Sequence, residues 1–159
     1  MKRTLTAALL TATLLPAGSS AQSRPSIQGA WQVVEVSTTG QRATNLQPSL
    51  YLFTARHYSI MRVLSPDPRP GFSDPANVTE AEALAVWGPL QAQSGTYQVA
   101  NGTLNLLPIV AKNPGVMRPG RQPDVYAFAL QGDSLTLAQK SDGSGQAAST
   151  TTLRLKRLE

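Results

Sequence analysis

The chain has no cysteine, a single histidine and few charged residues, 14% of the total. Each scarcity closes off a class of chemistry. Without cysteine there is no disulfide, no thiolate nucleophile, no cysteine-ligated metal and no lipid carried on an N-terminal cysteine. With His57 alone, no second imidazole can complete a histidine metal site, and a lone turn histidine is read as solvated rather than as a general base. No G-x-S-x-G and no phosphate-cradling glycine motif occurs. No catalytic residue, metal or cofactor is therefore assigned. The net charge of +5 falls to +3 once Lys2 and Arg3 are set aside. No Lys/Arg block with interleaved aromatics is present, so nucleic acid is not an expected partner. No apolar run is long enough to cross a bilayer.

What is present begins with an export pattern. Lys2 and Arg3 precede the apolar run 5–15, then come Pro16, Gly18 and the small residues Ser19, Ser20 and Ala21. That order reads as a Sec-type signal peptide over 1–21, cleaved near Ala21. A tail over 22–28 and one domain over 29–159 follow. The expected location is secreted or periplasmic. About 138 residues remain, enough to bury roughly two-thirds of the unfolded surface with no disulfide to help.

Eight strand-like runs can be read, at 29–37, 49–54, 58–64, 95–100, 103–111, 124–130, 135–139 and 150–158. Their connections alternate between long and tight. The long ones, 38–48, 65–78, 112–123 and 141–149, are rich in Gly, Pro and polar residues. The tight ones lie at Ala55-Arg56-His57, at Asn101-Gly102 and at 131–134. In an up-and-down sheet alternate connections fall at opposite ends. The pattern predicts an all-β fold, an eight-stranded antiparallel barrel with a closed floor and an elaborated mouth. Asn101-Gly102 suits a type I′ turn, which needs positive φ at both positions. One short helix is predicted between strands 3 and 4, over 79–87, with Thr79 and Glu82 forming a capping box. Leu84 and Trp87 are expected to face the barrel.

Period two assigns faces. Val99 opposes Leu104, Tyr97 opposes Leu106, Leu130 opposes Leu135 and Phe128 opposes Leu137, all expected inside. A two-residue turn at Ala55-Arg56 would bring Tyr51, Phe53, Tyr58, Ile60 and Arg62 together, whereas a three-residue turn would break that set. Glu35 is the one acid within a strand. If Trp31 and Val33 face inward, so does Glu35, and it then needs a partner, for which Arg62 is the candidate, because a lone desolvated carboxylate is costly. The alternative has Val34 and Val36 lining the core and Glu35 in water. The candidate ligand-binding set is Glu35, Tyr51, Phe53, Tyr58, Arg62, Tyr97, Tyr126 and Phe128. Arg42, Arg69, Lys112, Arg118, Arg121 and Lys140 on the mouth loops add a weak preference for an anion.

Gly29-Ala30-Trp31 opens the first strand with the G-x-W pattern of lipocalins. Gly95-Thr96-Tyr97 and the G-D-x-L-x-L run 132–137 complete an ordered set that resembles bacterial lipocalin-like domain proteins. The resemblance implies an eight-stranded calycin-type barrel and suggests a cavity. It also implies a structural floor of Gly29, Trp31 and Arg157, the arginine of the last strand packing on the indole. Such a contact contributes about 0.5–2 kcal/mol. One departure is the helix, which lipocalins place after the eighth strand. The expected function is an exported barrel that holds a small apolar or amphipathic molecule, anionic groups included. Two alternatives stand beside it. One is a small enzyme acting on a lipophilic substrate, with Glu35 and a tyrosine as acid and base, which requires Glu35 inside with a raised pKa. The other is a barrel packed solid that contacts a partner through loops carrying Phe72, Val116 or Met117.

Overall fold

Antiparallel pairing runs around the whole molecule in one sheet of nine strands. The computed structural model describes residues 26–145 and 150–159. The expected signal peptide and residues 22–25 of the tail lie outside the described residues. The barrel strands are β1 (Gly29–Thr38), β3 (Ser49–Phe53), β4 (His57–Val63), β5 (Leu90–Ala100), β6 (Thr103–Ala111), β7 (Asp124–Gln131), β8 (Ser134–Asp142) and β9 (Thr151–Arg157). β9 pairs back onto β1 and closes the barrel. The additional strand, β2 (Gln41–Arg42), is a two-residue ribbon against the end of β1. With β2 counted, helix α1 (Glu80–Trp87) follows the fourth strand, not the third as expected.

The tight turns decide which side chains meet. Asn101 and Gly102 take φ of +51° and +74°, the positive pair that a type I′ hairpin requires. Thr54 N–H donates to His57 O at 2.9 Å, and Phe53 lies opposite Tyr58. This is the two-residue turn at Ala55-Arg56, and it puts Tyr51, Phe53, Tyr58 and Ile60 in the buried core. Trp31, Leu104, Leu106, Leu135, Leu137 and Leu155 are fully buried beside them. Each such side chain stabilises the fold by roughly 1.5–3 kcal/mol. At Gly95, opposite Pro108, an added Cβ would run into the Leu107 backbone, so β5 can approach β6 there only as glycine.

The barrel closes at its floor around one indole. The Arg157 guanidinium lies 4.1 Å from the Trp31 ring centroid. It also donates to Gln28 O at 2.6 Å and Ser26 O at 2.8 Å, anchoring the segment before β1. Trp31 Nε1–H donates to Ile27 O at 2.8 Å. Gly29 has φ of +125°, and a Cβ there would meet Glu159 O at 2.6 Å and Arg157 Nη1 at 2.8 Å.

α1 departs from expectation. Its capping box forms as expected from sequence, but Leu84 and Trp87 are 65% and 50% exposed, and Val86 is the buried residue. The helix is tied down by carbonyls near its C-terminal end. Lys112 donates to Trp87 O and Gly88 O, and Arg69 donates to Val86 O at 3.3 Å. That tethering presents Val86 to the barrel and leaves Trp87 leaning on Phe72.

Two stability outcomes follow. Arg157→Ala is expected to lower unfolding free energy by about 1–3 kcal/mol in urea titration, through loss of the cation–π contact and of two carbonyl partners. Arg157→Lys should fall between it and the unaltered chain. Gly95→Ala is expected to cost more than about 2 kcal/mol, because backbone cannot yield as a side-chain tip can.

Candidate functional site

β1 and β3 stay paired only from Gly29 to Trp31. Beyond that the single direct link is Val33 N–H donating to Ser49 Oγ at 3.0 Å. The strands splay, and the loop 42–47 leans away. The gap is a cavity of about 280 Å³ open at the mouth, lined by Val33, Val36, Leu46, Ser49, Arg62 and Leu64 among others. A second recess of about 400 Å³ lies on the other side of Leu64 and includes Gln91, Gln93, Lys112 and Val116. Below them the barrel is filled by the buried Trp31 and leucines.

Arg62 is the charged group of the barrel strands that reaches the first cavity. Its Nη1 donates to the Tyr51 hydroxyl at 3.3 Å. Among the described residues no carboxylate forms an ion pair with it. Burial pushes the Tyr51 phenol above its ordinary value, with Arg62 pulling the other way. Tyr126 is also pushed up, first by burial and then by Tyr51 and Asp124. A part-buried guanidinium with several N–H groups unengaged is built to take a planar anion bidentately.

Most of the mouth-loop cations are engaged in holding the loops. Arg42 pairs with Glu35 at 3.0 Å, and Arg69 and Lys112 bind α1 carbonyls. Arg121 pairs with buried Asp124 at 2.5 Å and also donates to Asp142 O. Sequence reasoning missed this last cluster. Asp124 is 6% exposed and Gln93 8% exposed. Burial raises the Asp124 pKa while Arg121 and Gln93 lower it. The readable signal was parity, since Asp124 shares the inward face of Tyr126 and Phe128. The Tyr58 hydroxyl and Arg121 Nε, both near Asp124, are buried without a hydrogen-bond partner among the described residues.

Glu35 lies elsewhere. The register between β1 and β9 shifts between Val33 and Glu35. This β-bulge inserts Val34 as an extra residue, so Val36 returns to the core side and Glu35 falls outside with its partner Arg154. Arg154 Nη2 and Nε bind Glu35 Oε2 at 2.6 and 3.1 Å. That bond, with Arg42 nearby, holds the Glu35 carboxyl below its ordinary pKa. The expected Glu35–Arg62 partnership is thus corrected, and the enzymatic reading loses its interior acid. Phe53 and Tyr97 stack edge to face at 5.4 Å, and Tyr97 donates to Thr54 O at 2.7 Å. With Phe128 they pack on the core rather than line the mouth cavity. His57 is exposed at the start of β4.

No protein-family model matches the chain, and no curated protein matches its sequence. Two solved structures resemble the fold. One is a lipocalin-like protein from Bacteroides uniformis, 14% identical, with a TM-score of 0.47, covering 82% of this chain and 97% of that one. The other is an uncharacterised protein from Bacteroides eggerthii, 9% identical, with a TM-score of 0.42, covering 82% and 98%. This barrel is lipocalin-like. That description rests on its own closed, up-and-down strand order. Among the described residues no helix is long and apolar enough to cross a membrane.

All four tyrosines have pKa values raised by burial. A phenol raised in the folded state keeps a proton that the unfolded chain loses above about pH 10, so stability is full below that pH and falls as pH rises past it. Ultraviolet titration of the native protein is expected to lack a tyrosinate step near pH 10. Ionisation should instead coincide with alkaline unfolding followed by circular dichroism.

Proposed function

We propose that this barrel binds a small amphipathic anion, a carboxylate on a short apolar tail, in the cavity between β1 and β3. The observation that carries the reading is Arg62, a part-buried cation with a phenol, Tyr51, as its hydrogen-bond partner. A guanidinium held among apolar groups without a counter-ion is unfavourable until an anion arrives. Val33, Val36, Val63 and Leu64 supply an apolar wall for the tail, and Ser49 and Asn45 supply polar edges. The cavity volume of about 280 Å³ sits at the lower limit of ligand pockets, which favours a tail of several carbons over a long acyl chain. The N-terminal charge, apolar run and small residues support export, so the ligand would be met outside the cytoplasm.

Isothermal titration with octanoate, octanol and octylamine tests the reading. Octanoate is expected to bind best of the three. Arg62→Met should weaken it at least tenfold, about 1.4 kcal/mol, and Tyr51→Phe should weaken it by a smaller factor. Equal binding of octanol and octanoate, or no binding of any of the three, would overturn the proposal.

A further inference from the structure

The outer surface of the barrel is divided by charge. β1 and β9 carry Glu35, Arg154 and Lys156 outward. The outward positions of β3, β4, β5 and β6 carry no Asp, Glu, Lys or Arg. They expose large aliphatics instead: Leu50 38%, Leu52 39%, Met61 55%, Leu107 42%, Ile109 62% and Val110 59%. These residues are contiguous. Leu50 lies opposite Met61, and Met61 opposite Ala92. Leu52 lies opposite Ser59, Ser59 opposite Ser94, and Ser94 opposite Val110. The pairing shift between β5 and β6 leaves Ile109 as an extra residue beside Val110, so two neighbouring aliphatics project there. The polar groups at the centre of the wall are already satisfied, since Ser94 Oγ donates to Ser59 Oγ at 2.9 Å.

We propose that this wall is the contact face for a second copy of the chain in a two-fold symmetric dimer. An isologous contact sets a face against itself, so charges of one sign would oppose it, and this face has none. Aliphatic rows on a pleated surface are the elements of sheet-on-sheet packing. The bonded serines can be buried without leaving an unpaired donor. A bilayer surface is a poorer fit, because the wall lacks the Trp, Tyr, Lys and Arg that anchor a protein at a lipid interface. Four strands about 4.8 Å apart and about 20 Å of strand length give roughly 400 Å² per copy. That is about half of a standard interface, so the dimer is weak, with a Kd on the order of tens to hundreds of micromolar.

Sedimentation velocity over about 5–500 µM, a span chosen to bracket that Kd, is the test. The sedimentation coefficient of the unaltered chain is expected to rise with concentration. Met61→Glu, and independently Ile109→Glu on another strand, should stay monomeric throughout with unchanged circular dichroism. Mixing Met61→Glu with Met61→Lys should restore association, because opposite charges then meet across the axis. A chain that stays monomeric at the highest concentration would overturn the proposal. So would self-association that persists in both glutamate variants. Flotation of the monomer with phosphatidylcholine vesicles, lost in Met61→Glu, would overturn it in favour of a lipid surface.

Discussion

Strand β1 has to serve two neighbours, and the rest of the molecule depends on how it divides itself between them. It pairs with β9 along nearly its whole length and with β3 for three residues at the floor. Closure removes every open sheet edge from an exposed barrel, which would otherwise offer a template for aggregation. Trp31 sits where the three strands meet, and Arg157 covers its ring while holding the carbonyls of the segment before β1. Above that point β3 leaves β1, and the mouth cavity is the space left between them. Floor and cavity therefore have one cause, a pairing made at one end of β1 and relinquished at the other.

Bulges set the electrostatics. The irregularity in β1 turns Glu35 out to Arg154 and Arg42 and keeps Val36 on the core side. Arg62 on β4 has no such interruption and stays directed to the cavity. The interior near the mouth thus keeps a cation without its nearest strand-borne anion, while Asp124 is matched locally by Arg121. Had β1 continued without the extra residue, an inward Glu35 would have placed a second charge in the barrel. An anion-binding interior and a salt-bridged outer wall are two consequences of one inserted residue.

The two walls divide the remaining surface in the same way. The β1–β9 side meets solvent with paired charges, and the β3–β6 side meets it with aliphatic rows. Mouth-loop cations that in sequence resemble a ligand-attracting collar mostly hold the loops to α1 and to β7. Lys112 on the α1 carbonyls and Arg121 on Asp124 and Asp142 O are restraints on loop position. They fix the shape of the opening rather than its charge.

The sequence by itself determined the barrel. Period-two apolar patterning, Asn101-Gly102, and the alternation of long and tight connections are local properties, and local sterics and hydrogen bonding suffice to enforce them. The meeting of Tyr51, Tyr58 and Arg62 was legible too, conditional on the length of one turn. Three things were decided only by tertiary structure. The bulge that expels Glu35 depends on the register of β9, more than a hundred residues away. The burial of Asp124 depends on Arg121 and Gln93 converging from other segments. The orientation of α1 depends on Lys112 and Arg69 seizing its carbonyls. Each is a long-range contact whose free energy outweighs the local preference of a single residue, so no window of sequence contains it.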